Sequence, residues 1–165
     1  MLAQFFKRYL YIQLSAQRVT VRDPSKHEVL SEVPEIAIQR PATGKAKVLA
    51  VGSAARGTAG EVDTQVFNPF AHPRSLVSDF TVAEQVLKVF VKRAQGDSIL
   101  QPSPVVIMHP LGQHEGGLTQ VELRAIRELA LGAGASEVHI WQGPELTDEQ
   151  VLSGEYPATG SMFIE

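Results

Sequence analysis

The chain has 165 residues, enough for one domain with a real core. Hydrophobic residues make up 44% and charged residues 20%, and the net charge of −3 offers no basic face to nucleic acid. There is no cysteine, which excludes disulfides, thiolate metal sites and cysteine nucleophiles and suits a reducing cytoplasm.

Residues 1–10, MLAQFFKRYL, place Leu2, Phe5, Phe6, Tyr9 and Leu10 on one helical face, with Lys7 and Arg8 largely off it. This is the pattern of a short amphipathic helix in a membrane interface. The alternative is a lead-in whose aromatics enter the core. It does not read as a signal peptide, because its charges follow the first apolar residues and no cleavage site comes next. No apolar run reaches the length of a membrane span.

Tyr11 to Leu14 and Val19 to Arg22 read as short strands joined by a tight connection. Asp23-Pro24-Ser25-Lys26 is a turn. Val33 to Ile38 alternates weakly and predicts a third strand. Arg40 to Gly44 is a turn, and Lys47 to Val51 a strand ended by Gly52. Residues 53–75, rich in Gly, Pro and Ala, read as a short helix with irregular loop. Asp79 to Gln95 predicts a helix, with Thr81 and Glu84 at capping-box spacing and Val82, Val86, Val89 and Phe90 facing inward. Lys92 and Arg93 sit where the helix dipole favours positive charge.

Val105 to Met108 is a short apolar strand. The next helix has Thr119 and Glu122 at capping-box spacing, Leu123, Ile126, Leu129 and Ala130 in its stripe, and Gly132 and Gly134 as its stop. Val138 to Trp141 follows as a buried strand, so strand, helix and strand imply a parallel pair with a crossover. Leu146 to Leu152 predicts a short helix capped by Thr147, and Met162 to Ile164 a last strand. The whole order gives an α/β fold with a mixed sheet flanked by helices, with residues 1–10 as a membrane-contact segment and 11–165 as a single domain.

The blocks LTQVELRAIRELALGAGASEVHI (118–140), TGKAKVLAVG (43–52), LVSDFTVAEQVLKVFVK (76–92), QPSPVVIMHPLG (101–112) and ATGSMFIE (158–165) together resemble the rod shape-determining MreB family of bacterial actin homologues. The opening MLAQFFKRY resembles the amphipathic start of some members. The resemblance runs over the whole chain and corresponds to the first half of a family member. It implies an actin and ribonuclease-H-like subdomain. It also implies ATP with magnesium between two such halves, polymerisation, and a place on the inner membrane face.

Several positions depart from the family pattern. The first phosphate loop, Asp-Leu-Gly-Thr in the family, corresponds to Gln13, Leu14, Ser15 and Ala16. A neutral amide replaces the carboxylate that acts through magnesium, a side chain narrows the glycine's approach to phosphate, and a hydroxyl is gone. The family's Glu-Glu-Pro corresponds to Gln142-Gly143-Pro144, with Glu145 one residue beyond. Glu165 matches the aspartate of the second phosphate loop. These departures lead to the expectation of no catalytic residue and of ATP and magnesium binding lost or weakened.

The loop His109 to Gly117 exceeds the family pattern by about four residues. His109, His114 and Glu115 invite a zinc reading, but no recognisable ligand spacing supports it, so the loop reads as exposed and polar with no metal. The expected function is that of a non-hydrolysing MreB-like paralogue. It would associate with full-length MreB-type filaments, with itself through the edge of the final strand, or with the inner membrane face through Leu2, Phe5, Phe6, Lys7 and Arg8. The alternatives are a nucleotide-dependent switch whose missing half a partner supplies, a metal-dependent enzyme using the His109/His114 loop, or a remnant that still folds.

Overall fold

Strand β1 (Tyr9–Leu14) is paired on both sides. In the computed structural model the described residues are 7–112 and 114–164. Leu2, Phe5, Phe6 and Glu165 lie outside them. A hairpin joins β1 to β2 (Val19–Asp23), and a second joins β2 to β3 (Glu28–Glu32), both antiparallel. The chain then leaves for a small sheet in which β4 (Ile36–Gln39) lies between β5 (Lys47–Val51) and β6 (Thr64–Phe67), with a 3₁₀ turn at Ser53–Thr58.

Helix α1 (Phe80–Gln95) returns the chain to β7 (Val105–Pro110), which runs parallel to β1 with Tyr9 opposite Val105 and Leu14 opposite Pro110. Helix α2 (Gln120–Gly132) crosses to β8 (Glu137–Gln142), parallel to β7. After the short helix α3 (Asp148–Ser153), β9 (Ser161–Ile164) pairs antiparallel with β8. The order across the main sheet is β3-β2-β1-β7-β8-β9.

Alternation on β1 splits the core between the two faces of this sheet. Leu10, Ile12 and Leu14 join Val82, Val86, Phe90, Ile126 and Leu129 under α1 and α2. Tyr11 faces the other way, with Ile107, Trp141, Leu146 and Val151 under α3. β7 is covered on both faces, so all six of its residues are buried and its sequence is a continuous apolar run up to His109.

The crossover helix carries the complete capping box. The Thr119 hydroxyl accepts from the Glu122 N–H (3.2 Å), and the Glu122 carboxylate accepts from the Thr119 N–H (2.8 Å). Gly134 then turns the chain at φ 113°, which glycine adopts without a Cβ penalty. α1 and α2 touch closely, and a Cβ at Gly132 would lie 2.2 Å from the Glu84 carboxylate.

Four expectations need correction. The strand read at 33–38 is β4 alone, starting only at Ile36, and an unforeseen strand β3 precedes it across Val33-Pro34-Glu35. Pro34 has no N–H for a ladder, and the Glu35 N–H instead turns back to the Val33 carbonyl at 2.9 Å. β6 falls in the stretch read as irregular. The cap of α1 is Asp79, whose carboxylate accepts from the Val82 N–H at 3.1 Å, while Thr81 already lies inside the first turn. Finally β1 begins at Tyr9, so Tyr9 and Leu10 belong to a strand and the boundary at residue 10 falls within it.

Candidate functional site

The parallel strands β1, β7 and β8 end side by side, and the segments that follow them meet there. In open α/β sheets this is where ligands bind. Gln13, His109, Gly112, His114, Gln142 and Glu145 line a cleft of about 560 Å³ at this end.

The turn after β1 is closed on itself. The Ser15 N–H donates to the Arg18 carbonyl (3.1 Å), and the Ser15 hydroxyl donates to the same carbonyl (3.0 Å) while accepting from the Arg18 N–H (3.1 Å). The Ala16 carbonyl accepts from the Asn68 amide at 2.6 Å. The Ser15 and Arg18 N–H groups are therefore spent within the turn.

Beneath the cleft lies a buried polar chain. The Tyr11 oxygen accepts from the Leu146 N–H (3.2 Å) and its O–H points at His109 Nδ1 (2.5 Å). The Gln13 side chain lies within reach of the same hydroxyl, and the Gly143 backbone within reach of the His109 ring. With the Tyr11 hydroxyl donating to Nδ1, the neutral ring carries its proton on Nε2. Burial pulls the His109 pKa below the usual histidine range, against the opposing pull of the Gly143 carbonyl and Glu145. Burial likewise raises the Tyr11 pKa, opposed by the Leu146 N–H and Arg22.

Arg22 completes the arrangement from β2. Its guanidinium lies 4.7 Å over the Tyr11 ring, bonds the Leu146 carbonyl, and pairs with Glu145 (3.2 Å) and Asp148 (2.7 Å). Asp148 also holds His27 at 3.0 Å. The Trp141 indole N–H donates to the Pro144 carbonyl at 2.8 Å. The segment 143–147 is thus tied to the sheet from four strand residues: Tyr11, Arg22, His109 and Trp141.

The structure brings Gln13, Gly143 and His109 into one network and sets Ser15 and Ala16 in the adjoining turn. His114 lines the same cleft. His109 has Nδ1 against the Tyr11 hydroxyl, and no group of three ligating residues occurs among the described residues. Lys7 pairs with Glu137 at 3.1 Å on the surface. Arg8 is turned inward onto Asp23 at 2.8 Å, its side chain 10% exposed. The sequence reading missed Tyr11, Arg22 and Asp148. The available signal was a tyrosine and a histidine at inward positions of apolar strands, since such groups need buried partners.

A hairpin, a parallel crossover and helices on both faces of a mixed sheet define an actin-type α/β subdomain. The chain belongs to the MreB/Mbl protein family, whose profile matches residues 7–147. It is 33% identical over 162 residues to the cell shape-determining protein MreB of Escherichia coli (strain K12), covering 97% of this chain and 45% of the relative. It is 32% identical to the MreB of Pasteurella multocida (strain Pm70) over the same shares. The fold matches the crystal structure of MreB5 of Spiroplasma citri bound to ADP with a TM-score of 0.61, at 20% identity, over 81% of this chain and 37% of that one. The chain thus spans about half the length of the curated relatives it matches.

Proposed function

We propose that this chain is a non-hydrolysing member of the MreB-like cell-shape cytoskeleton, and that it works by binding a membrane surface and MreB-type filaments. The observation that carries the membrane part is an exposed apolar pair. Ile99 is 98% and Leu100 91% exposed. Both lie in the loop that feeds β7, at the end of the sheet where the chain enters β1. There the Val105 N–H donates to the Arg8 carbonyl at 2.7 Å and the Arg8 guanidinium reaches the Ala94 carbonyl. The apolar pair therefore lies at the end of the sheet where Lys7 and Arg8 lead into β1, and the Lys7 side chain there is 43% exposed. Apolar side chains with a cation at their border suit a headgroup boundary. Of the five residues read as membrane contacts, Arg8 fits least, since its charge is already held by Asp23.

Pelleting with full-length MreB-type filaments, with and without anionic liposomes, tests this reading. Binding to liposomes is expected to fall at least tenfold in either Phe5→Ser/Phe6→Ser or Ile99→Ser/Leu100→Ser. Liposome binding unchanged in both variants would remove the membrane contact, and no pelleting with filaments would remove the filament partner.

The non-hydrolysing part rests on Gln13 in place of a magnesium-directed carboxylate, the self-closed Ser15–Arg18 turn, and Gln142-Gly143 in place of paired carboxylates. Titration with Mg-ATP is expected to give no saturable heat up to millimolar ligand. Magnesium-dependent saturation at micromolar concentration would favour the nucleotide-switch reading instead.

A further inference from the structure

The hydrogen-bond chain under the cleft has a property that neither filament nor membrane binding uses. A phenolic hydroxyl lies near its ring plane and offers one donor and one acceptor direction there. In Tyr11 the acceptor direction takes the Leu146 N–H at 3.2 Å and the donor direction faces His109 Nδ1 at 2.5 Å. The arrangement is complete while Nδ1 is bare. A proton on Nδ1 would point an N–H at an O–H, and the hydroxyl could not turn away without meeting the Leu146 N–H. One link must then break. His109 is 5% exposed, so water cannot fill the gap without the segment moving.

We propose that His109 is the acid-sensitive pin of a latch: with its ring neutral, segment 143–147 is held against the sheet over the cleft, and protonation of the ring releases it. The charged and titratable surroundings set how far the release goes. From β1 the facing groups are Tyr11 and the neutral Gln13, and from β2 it is Arg22 above the Tyr11 ring. Glu145 follows β8 and favours the charged ring, but it is 62% exposed and already paired with Arg22. Asp148 at the start of α3 is shared by Arg22 and His27. His114 lines the same cleft, and His139 lies on β8 two residues from Trp141. Arg22 keeps its charge throughout, so α3 stays docked while the Tyr11–His109 side of the clamp lets go. The outcome is a local opening rather than unfolding. It exposes backbone groups of residues 143–147 to whatever occupies the cleft.

Trp141 is the chain's single tryptophan and is bonded to Pro144, so it reports on the segment directly. On acidification from about pH 7.5 to 5, its emission is expected to shift to the red with a midpoint below the ordinary histidine value of about 6.5, while far-UV circular dichroism holds. His109→Gln, which can still accept from Tyr11, should lose the transition, and His27→Gln and His139→Gln should keep it. Should His109→Gln fail to fold, Tyr11→Phe serves, since it removes the hydroxyl through which His109 holds Leu146 and should leave the emission red-shifted and flat over this range. A transition that survives His109→Gln, follows His27 or His139, coincides with loss of dichroism, or persists in Tyr11→Phe overturns the latch. So does a flat wild-type profile.

Discussion

Arg8→Ala lowers stability at pH 7 by about 3–5 kcal/mol, the range for removing one partner of a buried ion pair. Asp23 is 1% exposed and its carboxylate accepts from Arg8 Nε (3.2 Å) and Nη2 (2.8 Å), and from the Ser25 N–H (3.1 Å) and hydroxyl (2.7 Å). Burial on its own pushes the Asp23 pKa up, but the Ser25 and Arg8 bonds together outweigh it and hold the pKa below the usual carboxylate range. The sign of the pH dependence follows. A lowered folded pKa contributes stability above the unfolded value of about 3.9, and that contribution is lost as pH falls through the folded value.

In Arg8→Ala the burial effect loses one of its two opponents, with Ser25 remaining, so the carboxyl pKa rises and the variant recovers part of its deficit on mild acidification. Urea unfolding of both proteins at pH 7 and near pH 5 measures this. A loss under about 1 kcal/mol at pH 7 would place the pair among solvent-screened ones. The same pair explains why Phe5 and Phe6, rather than Arg8, are the residues to change when membrane contact is tested: an Arg8 variant loses fold and contact together.

The parts of the fold legible from the chain were those with local signatures. The capping box at Thr119 and Glu122, the apolar stripe of α2 and the short buried strands on either side of it were written within a few residues of one another, and the structure has them in place. β3 was invisible because its residues, Glu-Val-Leu-Ser-Glu, are mostly exposed and its strand state comes from pairing with β2. β6 was hidden for a similar reason, since a four-residue strand takes its identity from β4.

At the cleft, Gln13, Ser15, Ala16 and Gly143 could be named one by one as departures from the family pattern, yet the hydrogen-bond network beneath the cleft could not be foreseen. Tyr11 and Leu146 are 135 residues apart in the bond that joins them, and Tyr11 and His109 are 98 apart. Each of these residues alone looks like ordinary strand or loop. Their shared network follows from the parallel register of β1 and β7, which sets Gln13 opposite His109. Long-range register of this kind leaves no mark at short spacing.

Trp141→Ala is expected to lower stability by about 3–5 kcal/mol, the range for emptying a large buried aromatic site. Trp141 is 1% exposed and centres the smaller core with Tyr11, Ile107, Leu146 and Val151. The backbone is shaped around it. A Cβ at Gly143 would lie 2.6 Å from the indole, and one at Gly160 would lie 2.2 Å from it and 2.7 Å from the Gln142 carbonyl. Two glycines pressed together against the same edge of the ring, the Gly143 Cβ position only 2.9 Å from the Gly160 Cα, cannot close over a void, because neither has a side chain to move into it. The collapse that softens some truncations is therefore unavailable here, which puts the cost toward the upper end. Tyr156 stacks at 5.7 Å between ring centroids and loses its neighbour as well.

Trp141→Phe separates packing from polarity. It keeps most of the apolar volume but leaves the Pro144 carbonyl without its 2.8 Å donor, a loss nearer 1–3 kcal/mol. Denaturant midpoints order the three proteins, and amide exchange locates the damage. In Trp141→Phe, faster exchange should be confined to residues 143–147 and the start of α3, whereas Trp141→Ala should also loosen β8 and β9. Equal stability of the two variants would mean that the indole N–H, and not the ring, holds the segment. In that case the clamp over the cleft is a polar device alone, and the smaller core contributes little to the fold.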